Sequence, residues 1–213
     1  MESGSRFYRF AYKVGFHPWE DLVTYEPFAN KLTELIAREE AGREAPYGRA
    51  LDLGCGSAIW GVELAKRGWT VVGVDLVEDA LVRARERVES EGVSMEIVRG
   101  DVTDLGPSGL EPGFDLILDT GTFHGLTPEQ RAAMGREVDS VAGRDATVII
   151  DAFAPRWRGP LPRGASHSDI AHAFPGWTIT DVEEADPEPA GIAKACKFDE
   201  RFFRLRRADG QAR

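Results

Sequence analysis

Acids recur behind short apolar runs along the first three quarters of this chain: Asp52, Asp75, Asp101, Asp119 and Asp151. The first of them opens the run Asp52-Leu53-Gly54-Cys55-Gly56-Ser57-Ala58. Carboxylates accept hydrogen bonds from ammonium, hydroxyl and amine groups. Two glycines one residue apart let the backbone turn sharply and approach a ligand closely. His124 follows the fourth acid, and an imidazole titrates in the range that suits proton transfer near neutrality. Its plainer role is to line a pocket as a hydrogen bonder. Cys55 reads first as a small residue in a tight loop, and second as a reactive thiol near a helix start. Together these residues could hold a polar, partly cationic small molecule with a base beside it.

Strands and helices must bring these residues together. Ala50 to Leu53 is a buried strand, and a helix follows from Ser57 as N-cap to a stop at Gly68. Thr70 to Asp75 is a second strand. Ala80, Leu81, Ala84 and Val88 mark one face of a helix that ends near Gly92. Met95 to Val98 and Phe114 to Leu118 are the third and fourth strands. Thr127-Pro128-Glu129-Gln130 opens a helix with a capping box and proline at its first position, running to Gly143. Thr147 to Ile150 is the fifth strand. This alternation predicts parallel βαβ units in a doubly wound α/β sheet.

The ends differ from the middle. Glu20 to Glu40 predicts a helical N-terminal extension. A Pro/Gly-rich loop, Pro155 to Gly164, precedes a short helix that ends before Pro175. Trp177 to Val182 and Cys196 to Leu205 are two last strands joined by a turn-forming stretch. No helix intervenes, so they form an antiparallel C-terminal hairpin on the sheet edge. The expected whole is a mostly parallel seven-stranded sheet. Its organisation is a lid segment and helix over residues 1–45 and one compact binding domain over residues 46–213.

Ligands of open parallel sheets bind beyond the carboxyl ends of the strands, where all five acids fall. There Asp75 can accept both hydroxyls of a ribose, and Asp101 an exocyclic adenine amine. Asp52 and Asp119 flank the place of an ammonium or other cation. A nicotinamide-cofactor fingerprint would want a further glycine where Ile59 stands, which demotes an oxidoreductase.

Composition narrows the partners. The 213 residues carry 26 Lys and Arg against 36 Asp and Glu, a net charge of −10. So acidic a surface repels phosphate backbones and argues against nucleic acid. Arg201 to Arg207 is the local exception and reads as the solvated face of a strand. No apolar run is long enough to span a membrane, and Met1 to Phe10 is too polar for a signal peptide. The two cysteines, Cys55 and Cys196, make neither a disulfide framework nor a metal-ligand spacing, so a reducing cytoplasm is expected. The partner expected is a small-molecule acceptor, with the protein a monomer or homodimer. The acids would admit Mg²⁺, although no spacing demands it.

The segments LDLGCGSA, VVGVDL, VRGDVTDL and FDLILD resemble the motifs of class I S-adenosylmethionine-dependent methyltransferases over about 150 residues. The resemblance implies S-adenosylmethionine as cofactor and S-adenosylhomocysteine as product. It carries Asp52, Gly54, Cys55, Gly56, Asp75, Leu76, Asp101, Val102 and Asp119 over as cofactor-binding residues. Ala58 departs from the pattern, because many members carry a third glycine there. Gly15-Phe16-His17-Pro18-Trp19-Glu20 and Asp119-Thr120-Gly121-Thr122-Phe123-His124 look like elements of a thiopurine- and thiol-methyltransferase-like branch. By that resemblance Trp19 packs near the sulfonium, as cation–π attraction allows.

In-line methyl transfer needs an aligned nucleophile and exclusion of water. A hydroxyl acceptor must also lose its proton, which makes His124 the candidate base. Tyr25, Arg156 and Trp157 would wall the acceptor with a flat face and hydrogen-bonding arms. These suit a sugar or a phenol, and small bacterial sugar O-methyltransferases are one role this could resemble. A thiol acceptor would need no base. A nicotinamide-dependent oxidoreductase and a catalytically silent cofactor-binding module are the rival classes.

Overall fold

The computed structural model describes residues 25–156, 164–186 and 199–208. Trp19, Trp157, Cys196 and the Gly15–Glu20 element lie outside them. The described chain runs α1 (Glu26–Glu40), β1 (Arg49–Leu53), α2 (Ile59–Arg67), β2 (Thr70–Asp75), α3 (Glu78–Ser90), β3 (Met95–Arg99) and β4 (Phe114–Thr120). It continues through α4 (Pro128–Val141), β5 (Ala142–Phe153), α5 (His167–Ala173), β6 (Trp177–Glu184) and β7 (Glu200–Arg207).

One seven-stranded sheet, in the order β3-β2-β1-β4-β5-β7-β6, holds all the described strands. Pairings among the first five are parallel, while β7 runs antiparallel to both β5 and β6. The predicted class I methyltransferase-like α/β architecture is therefore the one observed. The C-terminal pair is an antiparallel hairpin as expected, and its second strand enters the sheet interior.

The sequence explains most element boundaries. Thr127 caps α4 with the predicted capping box: its side chain accepts from Gln130 N–H while Gln130 bonds back to the cap. Gly68 ends α2 in the left-handed region at φ 108°. β5 is longer than Thr147 to Ile150, beginning directly after α4 and shifting register between Phe114 and Leu116 of its partner. The helix therefore ends at Val141, short of the expected Gly143, which lies in the strand.

The start of α2 corrects the sequence reading. Ser57 does not cap it, and its hydroxyl is buried without a partner. The N-cap is Ala58, with φ 59° and ψ 34°. A left-handed alanine costs roughly 1–2 kcal/mol, which is why glycine suits this position in relatives of the pattern. The Ala58 methyl is fully buried beside Val62 and Ala84, and that burial returns about 0.8 kcal/mol. The two effects nearly offset one another.

Two apolar layers sandwich the sheet. One face packs Leu51, Leu53, Ile117 and Ile150 against α4 and α5 through Met134, Val138 and Ile170. The other packs Ala50, Leu116, Leu118 and Ile149 against α1 and α2. α1 contributes Phe28, Leu32, Leu35 and Ile36, each at most 1% exposed. Full burial of such side chains is worth roughly 2 kcal/mol apiece before chain entropy is counted.

A polar anchor fixes the far end of α1. Buried Glu39 accepts from Arg204 Nε at 2.6 Å, Thr147 Oγ1 at 2.6 Å and Arg206 Nη2 at 3.2 Å. Removing it leaves a half-buried guanidinium and a buried hydroxyl without their acceptor. We expect Glu39→Ala to lose about 3 kcal/mol of unfolding free energy in urea titrations. A loss under 1 kcal/mol would contradict this anchoring role.

Candidate functional site

The sheet order carries the acids to one rim on adjacent strands. Asp75 ends β2, Asp52 lies in β1, Asp119 in β4 and Asp151 near the end of β5, and Glu200 begins antiparallel β7. Asp101 follows β3, so the row continues to that edge. Strand register puts Asp52, Asp151 and Glu200 on the face covered by α1 and α2, and Asp119 on the other.

Asp52 replaces the missing cap of α2. It accepts from Gly61 N–H, the third residue of the helix, while its Oδ1 is buried with no partner. Burial above all, then the neighbouring Asp119 and Asp75, pushes its carboxyl up to about 7. Gly54 turns the chain just beyond β1 at φ 66°, and a Cβ there would stand 1.9 Å from Thr122 Oγ1. Only glycine fits beneath the β4 turn. Cys55 is buried against Gly73, whose missing side chain leaves it room, and burial raises the thiol well above its ordinary range.

Asp75 bridges two loops. Its Oδ2 accepts from Gly56 N–H at 3.0 Å and its Oδ1 from Val77 N–H at 2.8 Å. Each oxygen keeps a further lone pair, the acceptor capacity a diol requires. Asp75 and Leu76 are half-buried at the rim. Burial raises the Asp75 carboxyl although three backbone N–H groups, those of Val77, Gly56 and Leu76, pull the other way. Asp101 Oδ1 accepts from Thr103 N–H at 2.9 Å and Thr103 Oγ1 at 2.6 Å, closing a turn over buried Val102.

Asp119 works first on its own loop. Oδ1 accepts from Gly121 and Thr122 N–H at 2.9 and 2.7 Å, and Oδ2 from Phe123 N–H at 2.9 Å. Even with these three donors, burial holds its carboxyl up at about 6. The turn it folds carries His124, which is 5% exposed. The imidazole stacks on Phe153 at 4.8 Å, and its Nδ1 accepts from Phe153 N–H at 3.4 Å. A ring engaged this way carries its proton on Nε2.

Arg131, which sequence reasoning did not single out, locks this arrangement. From α4 it donates to Phe123 O at 3.2 Å, His124 O at 3.1 Å and Gly164 O at 2.7 Å. It therefore ties the His124 turn to the closing end of the loop after β5. Gly164 admits no side chain, since a Cβ would lie 2.5 Å from the carbonyls of Phe153 and Ala154. A buried arginine facing three carbonyls has no sequence signature, because its partners come from separate loops.

Of the expected acceptor wall, Tyr25 donates its hydroxyl to Asp186 at 2.8 Å, and Arg156 pairs with Asp199 at 2.8 Å. Both side chains thus hold loop ends in place. Among the described residues no group of three or more His, Cys, Asp or Glu could hold a metal ion. Among them also, no helix is long and apolar enough to cross a membrane.

The site fits a cationic cofactor with a ribose. The orphan Oδ1 of Asp52 lies by the glycine bend, Asp75 has acceptor capacity at the next strand, and the raised carboxyls call for positive charge.

Comparison with known proteins agrees with this chemistry. Residues 50–144 match the family described as "Methyltransferase domain". A 2-heptyl-1-hydroxyquinolin-4(1H)-one methyltransferase of Mycobacteroides abscessus is 30% identical over 175 residues, covering 78% of this chain and 74% of that protein. Thiocyanate methyltransferase 1 of Arabidopsis thaliana is 33% identical over 134 residues, covering 62% and 57% of the two chains. Among solved structures, a Burkholderia thailandensis 1,6-didemethyltoxoflavin N1-methyltransferase with bound S-adenosylhomocysteine superposes with a TM-score of 0.72. It covers 97% of this chain and 87% of its own at 21% identity, a likeness of fold.

The raised carboxyls give a pH prediction. In the unfolded chain Asp52 and Asp119 release their protons near 4. The folded, ligand-free protein keeps them to about 7 and about 6, so these two groups lower stability as pH rises from 4 to 7. Asp52→Asn keeps an acceptor for Gly61 and removes the larger share. Its Tm should rise relative to native as pH climbs from 4.5 to 8, reaching about 3 °C or more, while calorimetry shows weaker S-adenosylmethionine binding. A Tm difference that does not change with pH would contradict the assignment.

Proposed function

The chain belongs to the class I S-adenosylmethionine-dependent methyltransferases, and from that premise we propose that it methylates a hydroxyl group on a small, flat acceptor. When bound, the cofactor supplies an electrophilic methyl on a sulfonium. This chain's residues must bind it, aim the acceptor oxygen and deal with that oxygen's proton.

On this reading Asp75 takes the ribose hydroxyls, Asp101 faces the adenine amine, and Gly54 and Gly56 admit the amino-acid tail. Asp52 receives the ammonium, and Asp119 adds negative potential from behind the turn. Leu76, Val102 and Cys55 shape the apolar walls. By the resemblance, the segment before α1 brings Trp19 to the cofactor, and Trp157 stands in the acceptor wall with Tyr25 and Arg156.

The observation that carries the hydroxyl reading is the imidazole placed at the rim. His124 is buried, stacked on Phe153 and held by Arg131 through its own carbonyl. Thiolates and thiocyanate arrive already nucleophilic and need no such group. A hydroxyl gains from one, through donation from Nε2 that orients its oxygen. Once the long Phe153 contact opens and the ring's own proton sits on Nδ1, Nε2 takes up the hydroxyl proton as general base. The similarity to a hydroxyquinolone methyltransferase across three quarters of both chains supports this choice. S-methylation is the second reading, supported by the likeness to a thiocyanate methyltransferase.

With methyl-labelled S-adenosylmethionine, the protein should label 2-heptyl-1-hydroxyquinolin-4(1H)-one or a related ring hydroxyl and leave thiocyanate unlabelled. His124→Ala should lower turnover by about 10²–10⁴ with cofactor affinity little changed. Label entering thiocyanate alone, or full turnover by the variant, would refute the hydroxyl reading.

A further inference from the structure

The rim extends past the residues that a nucleoside cofactor needs. Asp151 is 2% exposed, and its Oδ1 is buried without any hydrogen-bond partner. Register pairs it with Thr120 at the end of β4 and with Phe202 of β7. Phe202 in turn packs on Phe28 of α1 at 4.9 Å, so the carboxyl sits against an apolar wall. Glu200, also buried, lies diagonally across the same β5–β7 face, opposite Phe153. Phe153 is the residue on which the His124 ring stacks. A second acid pair thus stands beside the imidazole assigned to the acceptor. It lies two strands along the sheet from Asp52.

A buried oxygen with no donor costs on the order of 1–3 kcal/mol, more if it is charged. A fold tolerates that where a ligand supplies the donor. We propose that Asp151, seconded by Glu200, is an acceptor-recognition subsite that accepts a hydrogen bond from an O–H or N–H on the methyl acceptor. This rests on the hydroxyl reading above and extends it to the acceptor's second polar group. The subsite selects neutral or cationic molecules that bear a donor besides the methylated oxygen. It disfavours anions, which would face carboxyl oxygens at Asp151 and Glu200. Burial raises the Asp151 carboxyl well above its ordinary range, with Glu200 and then Asp119 adding to the rise.

The test sets stability against activity. Asp151→Leu keeps the volume and removes the orphan oxygen. If ligand binding is the reason for Asp151, the ligand-free variant should melt a few degrees above native. Its S-adenosylhomocysteine affinity by calorimetry should stay within about threefold of native. Its KM for catechol, which carries a second hydroxyl, should rise at least tenfold. Asp151→Asn, which retains one acceptor oxygen, should recover part of the catechol KM.

A fall in Tm for both variants makes Asp151 structural and overturns the proposal. So does an unchanged catechol KM. Native protein that methylates the hydroxyquinolone but not catechol sinks the subsite and spares the hydroxyl reading. Native protein that methylates thiocyanate alone sinks both. If every probe stays unmethylated, the hydroxyl reading falls and the melting comparison still decides what Asp151 is for.

Discussion

Burying carboxylates side by side is the constraint around which this molecule is arranged. Strands in a sheet lie about 4.8 Å apart. At that spacing two ionised acids repel by a few kcal/mol even at an effective dielectric near 20. Here β2, β1, β4, β5 and β7 each bring an acid to the same edge. The fold lowers the repulsion with backbone donors at Asp75 and Asp119, and by holding the Asp52 and Asp151 carboxyls above their ordinary range. A cation relieves what is left, and a sulfonium cofactor with an ammonium tail brings two. The charge that makes the empty rim uncomfortable is therefore the charge that makes it selective.

The same acids also shape the backbone that presents them. Asp52 satisfies an N–H of α2 from outside the helix. Asp119 folds the turn bearing His124. Asp101 closes a turn of its own with Thr103. Moving a carboxylate at this rim therefore moves a loop. Binding and folding are not separable functions at these positions.

Much of this was legible from residue order. Alternating apolar runs and helix signals identified the parallel core, and strand-end acids located the rim, because both signals are local. The α4 start followed from four consecutive residues. What escaped was set by distant contacts. Ser57 has the right side chain for a cap, yet Asp52 reaches the helix first and Ala58 takes the left-handed bend. Arg131 reads as a surface helix residue until its three carbonyl partners converge on it. Asp151 was visible as one more strand-end acid, but its missing partner appears only once β7 lies beside β5.

The place of β7 has a consequence for synthesis. It follows every other described strand in the chain but sits between β5 and β6. Until it emerges from the ribosome, β5 presents an open apolar edge and β6 has no neighbour to hold it. Without β7 the parallel strands would form a five-stranded sheet with its Asp151 flank uncovered, an edge open to edge-to-edge association. A chain halted before Glu200 would stop there.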